Sequence, residues 1–113
     1  MHELSVTESL LKIAVQHADK ANATRVTDLH IVIGDLASMV DDSIQFYWDI
    51  IARDTIAEQA TLHFRRVPAQ LQCNTCLKTY SPTDRELICP KCGHVGAKII
   101  AGEEFFLESI DVE

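Results

Sequence analysis

The sequence contains a pair of Cys-x-x-Cys motifs, Cys73–Cys76 and Cys89–Cys92, separated by twelve residues. Each motif can present two thiolates from one tight turn, and a hairpin between the motifs can bring both pairs onto one metal ion. A lobe of about 30 residues has too little core to fold alone, so we expect metal binding to supply its folding energy. Four thiolates leave no position for water, which predicts a structural zinc ion.

Other uses of the four cysteines stay open at this point. Two disulfides would need an oxidising compartment, yet residues 1–5 have no basic flank and no long apolar stretch of the kind a secretion signal carries. A redox pair would need only one motif, and an iron–sulfur cluster is less typical of this spacing. His94, two residues after Cys92, could serve as a nitrogen ligand, although a solvated histidine is the commoner case.

Charge argues against some partners. The formal net charge is −7, which disfavours binding to nucleic acid or to anionic lipid. The sequence has no run of 18 or more apolar residues, so we expect no membrane span. We expect a cytoplasmic protein whose thiols stay reduced. All four cysteines lie in residues 70–100, a net-positive segment between two acidic ones. We therefore predict one domain built from residues 1–69 and 101–113, with an inserted zinc-binding domain at residues 70–100.

The remaining pattern predicts an α+β fold. Ser5 and Glu8 have the spacing of a capping box, which predicts a helix of about four turns with Ser5 as its N-cap and His17 on its apolar face. We expect a second helix over residues 43–53 and strands over residues 25–33, 61–67 and 104–112. The order predicts two helices on a small sheet of about three strands, with an inserted zinc-ribbon-like lobe of two knuckles. The positions expected to face the core include Ile44, Tyr47, Trp48 and Ile51 in the second helix, and Ile110 and Val112 in the last strand.

The N-terminus, Met1-His2-Glu3, offers a different donor set. The Met1 amine, the His2 amide and the His2 imidazole can close consecutive chelate rings in one plane, a geometry that suits Ni²⁺ or Cu²⁺. The Glu3 amide or carboxylate, or a group from elsewhere, would complete the set. From residue types alone, a solvated histidine remains the simpler interpretation. His30 and His63 are expected on the polar faces of two strands that could pair, where a weak second metal site competes with ordinary surface histidines.

Together, several motifs resemble the HypA/HybF family of nickel metallochaperones for [NiFe]-hydrogenase maturation. They are Met1-His2-Glu3-Leu4-Ser5, Arg25-Val26-Thr27, Ile31-Val32-Ile33-Gly34, the two cysteine pairs, and Glu108-Ser109-Ile110-Asp111-Val112-Glu113. The resemblance implies nickel binding centred on His2 and a structural zinc on Cys73, Cys76, Cys89 and Cys92. It also implies two partners, a nickel-handling maturation GTPase and the hydrogenase large subunit; some members serve urease as well.

The chain departs from that family at three positions. Gln59 stands where glycine is frequent, Val40 stands where some members carry an acidic residue, and only His94 lies near the cysteine pairs. We find no nucleophile–base motif, phosphate loop or dinucleotide fingerprint, so we do not predict an enzyme. The alternative function is a zinc-ribbon module that binds protein or nucleic acid. The sequence leaves a monomer and a dimer equally open.

Overall fold

In the computed structural model, the described residues are 3–39, 41–82, 88–93 and 95–113. The elements in chain order are α1 (Glu3–Lys20), β1 (Val26–Gly34), α2 (Asp41–Ile51), β2 (Thr61–Val67), β3 (Gln70–Cys73), β4 (Thr79–Tyr80), β5 (Ala97–Ala101) and β6 (Phe105–Val112). They form two compact units. Unit 1 comprises Met1–Val32, Ser38–Arg65 and Phe106–Glu113, and unit 2 comprises Ile33–Ala37 and Arg66–Phe105. No helix in the described ranges is long and apolar enough to cross a membrane.

A three-stranded sheet has the order β2-β1-β6, and α1 packs against α2. β6 is antiparallel to β1, because the Thr24 N–H donates to the Glu113 carbonyl at one end and the Gly34 N–H to the Glu104 carbonyl at the other, both at 2.7 Å. The central strand β1 has buried residues at both odd-numbered and even-numbered positions, which an alternating pattern alone does not predict. They are Val26, Leu29, Ile31, Val32 and Ile33. The predicted α+β class, with two helices and small sheets, is confirmed.

The start of α1 differs from its prediction. The helix already includes Glu3, so Ser5 lies inside it and the prediction of Ser5 as N-cap was wrong. Glu3 is buried, and its carbonyl accepts a hydrogen bond from the Thr7 hydroxyl, which ties the first turn together upstream of Ser5. A glutamate in the first turn also interacts favourably with the positive end of the helix dipole.

The end of α1 has a clear local cause. Asn22 has a φ of 56°, its N–H donates to the Asp19 carbonyl, and the Ala23 N–H donates to the Ala18 carbonyl. These two bonds define a Schellman motif, in which asparagine accepts the left-handed conformation that ends a helix. His17, in the last turn, is exposed, so its expected packing on the apolar face was wrong.

The predicted core positions are only partly buried. In α2, which starts two residues earlier than expected, Ile44 and Trp48 are buried, whereas Tyr47 and Ile51 are half-buried. Val112 is 39% exposed, so its prediction as an inward residue was wrong. Ile110 is half-buried, and Val112 lies at the end of β6, so the inward side predicted by alternation does not extend to the last residue of the strand.

Unit 2 contains a second sheet, with the order β4-β3-β5 and antiparallel pairing throughout. Leu71, at its centre, pairs with Tyr80 on one side and Ile99 on the other. Among its described residues, the buried cluster consists of Leu71, Cys73, Tyr80 and Cys89, with Cys76 and Ala97 packed against them. A metal ion held by the cysteines would add to the stability of this cluster.

Gly34, in unit 2, lies where two backbone segments approach each other closely. The Leu36 N–H donates to the Gly102 carbonyl at 2.7 Å. A Cβ atom on Gly34 would lie 2.0 Å from that same carbonyl oxygen, far inside van der Waals contact. Only glycine fits at position 34 with the backbone in this arrangement.

Candidate metal centre

Each cysteine pair lies in a tight turn in which a backbone N–H group donates a hydrogen bond to the Sγ atom of the first cysteine. In the first turn, the Leu77 N–H donates to the Cys73 carbonyl at 3.1 Å, and the Thr75 N–H to the Cys73 Sγ at 3.4 Å. In the second turn, the Gly93 N–H donates to the Cys89 carbonyl at 2.9 Å, and the Lys91 N–H to the Cys89 Sγ at 3.4 Å. The two turns therefore share one geometry, that of a metal-binding knuckle.

Both knuckles need a left-handed residue directly after the second cysteine. Gly93 has a φ of 73° and Leu77 a φ of 63°. Glycine adopts this conformation freely, but leucine does so at a cost. Leu77 was not predicted as a turn residue, although Gly93 at the equivalent position in the second motif could have revealed it.

The four sulfur atoms converge. Cys73 Sγ lies 3.6 Å from Cys92 Sγ, and Cys76 Sγ lies 3.5 Å from Cys89 Sγ. All four lie within 4.8 Å of one another, and none of the four cysteines is in a disulfide bond. Zn–S bonds of about 2.3 Å in a tetrahedron place sulfur atoms about 3.8 Å apart. The four-cysteine cluster therefore fits a tetrahedral metal ion.

Backbone hydrogen bonds lower the pKa of two of these thiols, Cys73 and Cys89. Hydrogen bonds from the backbone, first of all from the Cys92 N–H, lower the pKa of Cys89 to about 6 against the opposing effect of burial. The backbone N–H of Cys76 lowers the pKa of Cys73 in the same way. Burial and the neighbouring thiolates raise the pKa of Tyr80, which keeps its hydroxyl protonated. A thiol that ionises easily gives up its proton to a metal at a lower cost.

The other predicted ligands lie partly outside the described residues. Met1 and His2 lie outside the described residues, and so do His94 and Val40. Glu3 lies in the first turn of α1 and is 8% exposed. His30 and His63 are brought together on the first sheet, with ring centroids 4.8 Å apart.

The fold and the cysteine cluster define a small α+β protein with a zinc-ribbon-like four-thiolate centre. A family model described as "Hydrogenase/urease nickel incorporation, metallochaperone, hypA" matches residues 1–112. The chain belongs to this HypA family of nickel-incorporation metallochaperones.

Individual relatives agree with the family assignment. The chain is 45% identical over 113 residues to a hydrogenase maturation factor HypA of Dehalococcoides mccartyi strain 195, covering 100% of this chain and 95% of the relative. A solution structure of HypA protein matches with a TM-score of 0.76 at 24% identity, covering 100% of this chain and 97% of that one. The solution structure of the Ni metallochaperone HypA from Helicobacter pylori matches with a TM-score of 0.67 at 24% identity, covering 99% and 97% of the two chains. At this identity the two structures support the fold alone.

Proposed function

We propose that this chain binds Ni²⁺ at its N-terminus and helps to insert it into [NiFe]-hydrogenase during maturation. The observation that carries the proposal is the family match, which includes both the N-terminus and the four cysteines. The chain acts as a carrier and not as an enzyme. Nickel is its cargo and zinc its structural ion. Nickel belongs to the domain of residues 1–69 and 101–113, and zinc to the inserted domain of residues 70–100.

The nickel donors are the Met1 amine, the His2 amide and the His2 imidazole, with Glu3 completing the set. Glu3 lies in the first turn of α1, so its amide is at the N-terminal end of the helix. The positive end of the helix dipole favours the negative charge of a deprotonated amide. The Glu3 side chain is 8% exposed, which favours its amide over its carboxylate as the fourth donor.

A site with few side chains at a chain end suits delivery. Such a site selects Ni²⁺ through planar nitrogen ligation and still leaves the ion open to competing ligands. Contact with a partner would supply those ligands and remove the metal. The partners are the nickel-handling maturation GTPase and the large subunit of the hydrogenase, and the chain works as a monomer or a dimer.

The zinc ion is held by Cys73, Cys76, Cys89 and Cys92, and it stabilises unit 2. The convergence of four thiols supports this assignment, because Zn²⁺ commonly takes four thiolates in structural sites. Cysteines outside disulfide bonds also fit a cytoplasmic location, where thiols stay reduced. Metal analysis of the untagged protein tests the assignment: we expect one zinc per chain, and iron in its place would contradict it.

Nickel titration of the untagged, zinc-loaded protein tests the N-terminal site. The matched variants are His2→Ala, which removes the imidazole, and a form extended by a few residues before Met1, which removes the free amine. We expect both variants to lose the site that has the absorption spectrum of planar nitrogen ligation. Retention of that spectrum in both would contradict the proposal and favour a zinc-ribbon binding module.

A further inference from the structure

We propose a second site for a divalent transition metal, such as Ni²⁺, on the exposed face of the first sheet, formed by His30 and His63 with Asp28 and Asp111. The His30 and His63 imidazoles stack with an interplanar angle of 11° and centroids 4.8 Å apart. All four side chains belong to unit 1 and come from β1, β2 and β6. The N-terminal nickel site shares none of them.

Each imidazole already has a carboxylate partner. The His30 Nε2 lies 2.9 Å from Asp111 Oδ2, and the His63 Nε2 lies 2.7 Å from Asp28 Oδ1. When Nε2–H donates to a carboxylate, the neutral ring keeps a lone pair on Nδ1, which is then its metal-binding atom. Histidines that ligate metals are commonly oriented by a carboxylate on their other nitrogen in this way. Two such pairs side by side are therefore a donor set rather than isolated surface ion pairs.

The charges around the two imidazoles favour a cation. His63 lowers the pKa of Asp28, mainly through their hydrogen bond, so Asp28 is ionised at neutral pH. The neighbouring arginines are each matched by a glutamate, Arg65 by Glu108 at 3.0 Å and Arg25 by Glu113. With neutral imidazoles, Asp28 and Asp111 then leave the cluster with a net negative charge.

The side chains can reach a coordinating arrangement. Two imidazole nitrogens on one metal ion lie about 3 Å apart when each metal–nitrogen bond is about 2.1 Å. The ring centroids are 4.8 Å apart and the rings are nearly parallel, so the rings must rotate for their Nδ1 lone pairs to converge on one ion. His30 and His63 are 37% and 47% exposed, so side-chain rotation accomplishes this without disturbing the core. Two imidazole ligands with water in the remaining positions make a weaker site than the N-terminal one, and imidazole suits nickel, copper and zinc.

Titration with Ni²⁺ tests this site in the zinc-loaded His2→Ala protein, in which the N-terminal imidazole is gone. We expect Ni²⁺ to bind and to broaden or shift the NMR signals of the His30 and His63 rings before those of His17. Adding His30→Ala and His63→Ala should weaken this binding at least tenfold. Adding Asp28→Asn and Asp111→Asn should weaken it less, because these side chains orient the ligands.

The matched control adds His17→Ala, which removes an exposed histidine of α1 and should leave Ni²⁺ binding unchanged. Zinc content and thermal unfolding show whether each variant is folded, and His30→Gln with His63→Gln replaces the alanine pair if that pair fails to fold. The proposal is overturned if His2→Ala protein binds no Ni²⁺, or if its binding survives the loss of both sheet histidines. The planar-nitrogen spectrum of the wild type, followed separately, reports on the N-terminal site whatever this experiment shows.

Discussion

Substitutions of the two left-handed residues, Gly93→Ala and Leu77→Gly, should change the stability of unit 2 in opposite directions. Gly93 has a φ of 73°, and a Cβ atom placed on it meets nothing within 4 Å. Gly93→Ala therefore adds no steric clash, and its cost is the conformational penalty of a non-glycine residue, about 1 kcal/mol. Leu77 already carries that penalty, and its side chain is 64% exposed, so little burial is lost when it is removed. Leu77→Gly should stabilise the lobe by up to about 1 kcal/mol.

Zinc affinity measures this difference, because metal binding and folding of the lobe are linked. A change of about 1 kcal/mol corresponds to about fivefold in a dissociation constant. In competition with a chromophoric chelator, we expect Gly93→Ala to weaken zinc binding by about fivefold and Leu77→Gly to strengthen it by up to that factor. Lys78→Ala, at an exposed position outside the left-handed region, is the control and should change little. Weaker zinc binding by Leu77→Gly than by the wild type would refute the reasoning.

Three further predictions follow from the described contacts. Gly34→Ala places a Cβ atom 2.0 Å from the Gly102 carbonyl oxygen, so we expect a loss of several kcal/mol in unfolding free energy, measured by chemical denaturation; a loss below about 1 kcal/mol would contradict the close approach. His63→Gln should raise the pKa of Asp28 toward 3.8 in an NMR titration. Since the pKa of Asp28 is lowered in the folded state, its interaction with His63 stabilises the protein at pH values above 3.8, the pKa in the unfolded chain. That stabilisation is lost as the pH falls through the pKa of the folded state. An unchanged Asp28 pKa in the variant would count against the pairing. Finally, because protons and zinc compete for the same thiolates, zinc affinity should fall as the pH falls, and a chelator should unfold the second sheet; a zinc affinity that does not change with pH would be inconsistent with thiolate ligation.

Some features of the fold and the site could be predicted because their signals are local and unambiguous. The spacing of the four cysteines leaves few arrangements, and the predicted convergence is present in the structure. The strand predicted over residues 61–67 matches the bounds of β2, and burial alternates over its first five residues, where Leu62 is buried and Phe64 half-buried between exposed neighbours. The β1 strand shows the limit of that signal, because a central strand is buried on both faces and alternation then has little meaning.

The failures come from tertiary contacts that a local pattern does not contain. Ser5 and Glu8 match a capping box, but the burial of Glu3 extends α1 upstream of them. His17 has helical spacing with apolar residues and is nevertheless exposed at the end of the helix. Leu77 carries no turn signal of its own, and only the geometry of the knuckle forces it into the left-handed region. Local propensity is overruled in each case by what the rest of the fold requires.

Hydrogenase activity in a host whose own HypA gene is deleted tests nickel delivery by this chain. Expression of the wild-type chain should restore nickel insertion and activity, whereas His2→Ala should fail at low nickel and recover when the medium contains excess nickel. The matched control is His17→Ala, which should restore activity fully. Full restoration by His2→Ala at low nickel would contradict an N-terminal carrier site, and failure of the wild-type chain at every nickel concentration would contradict the proposed delivery function.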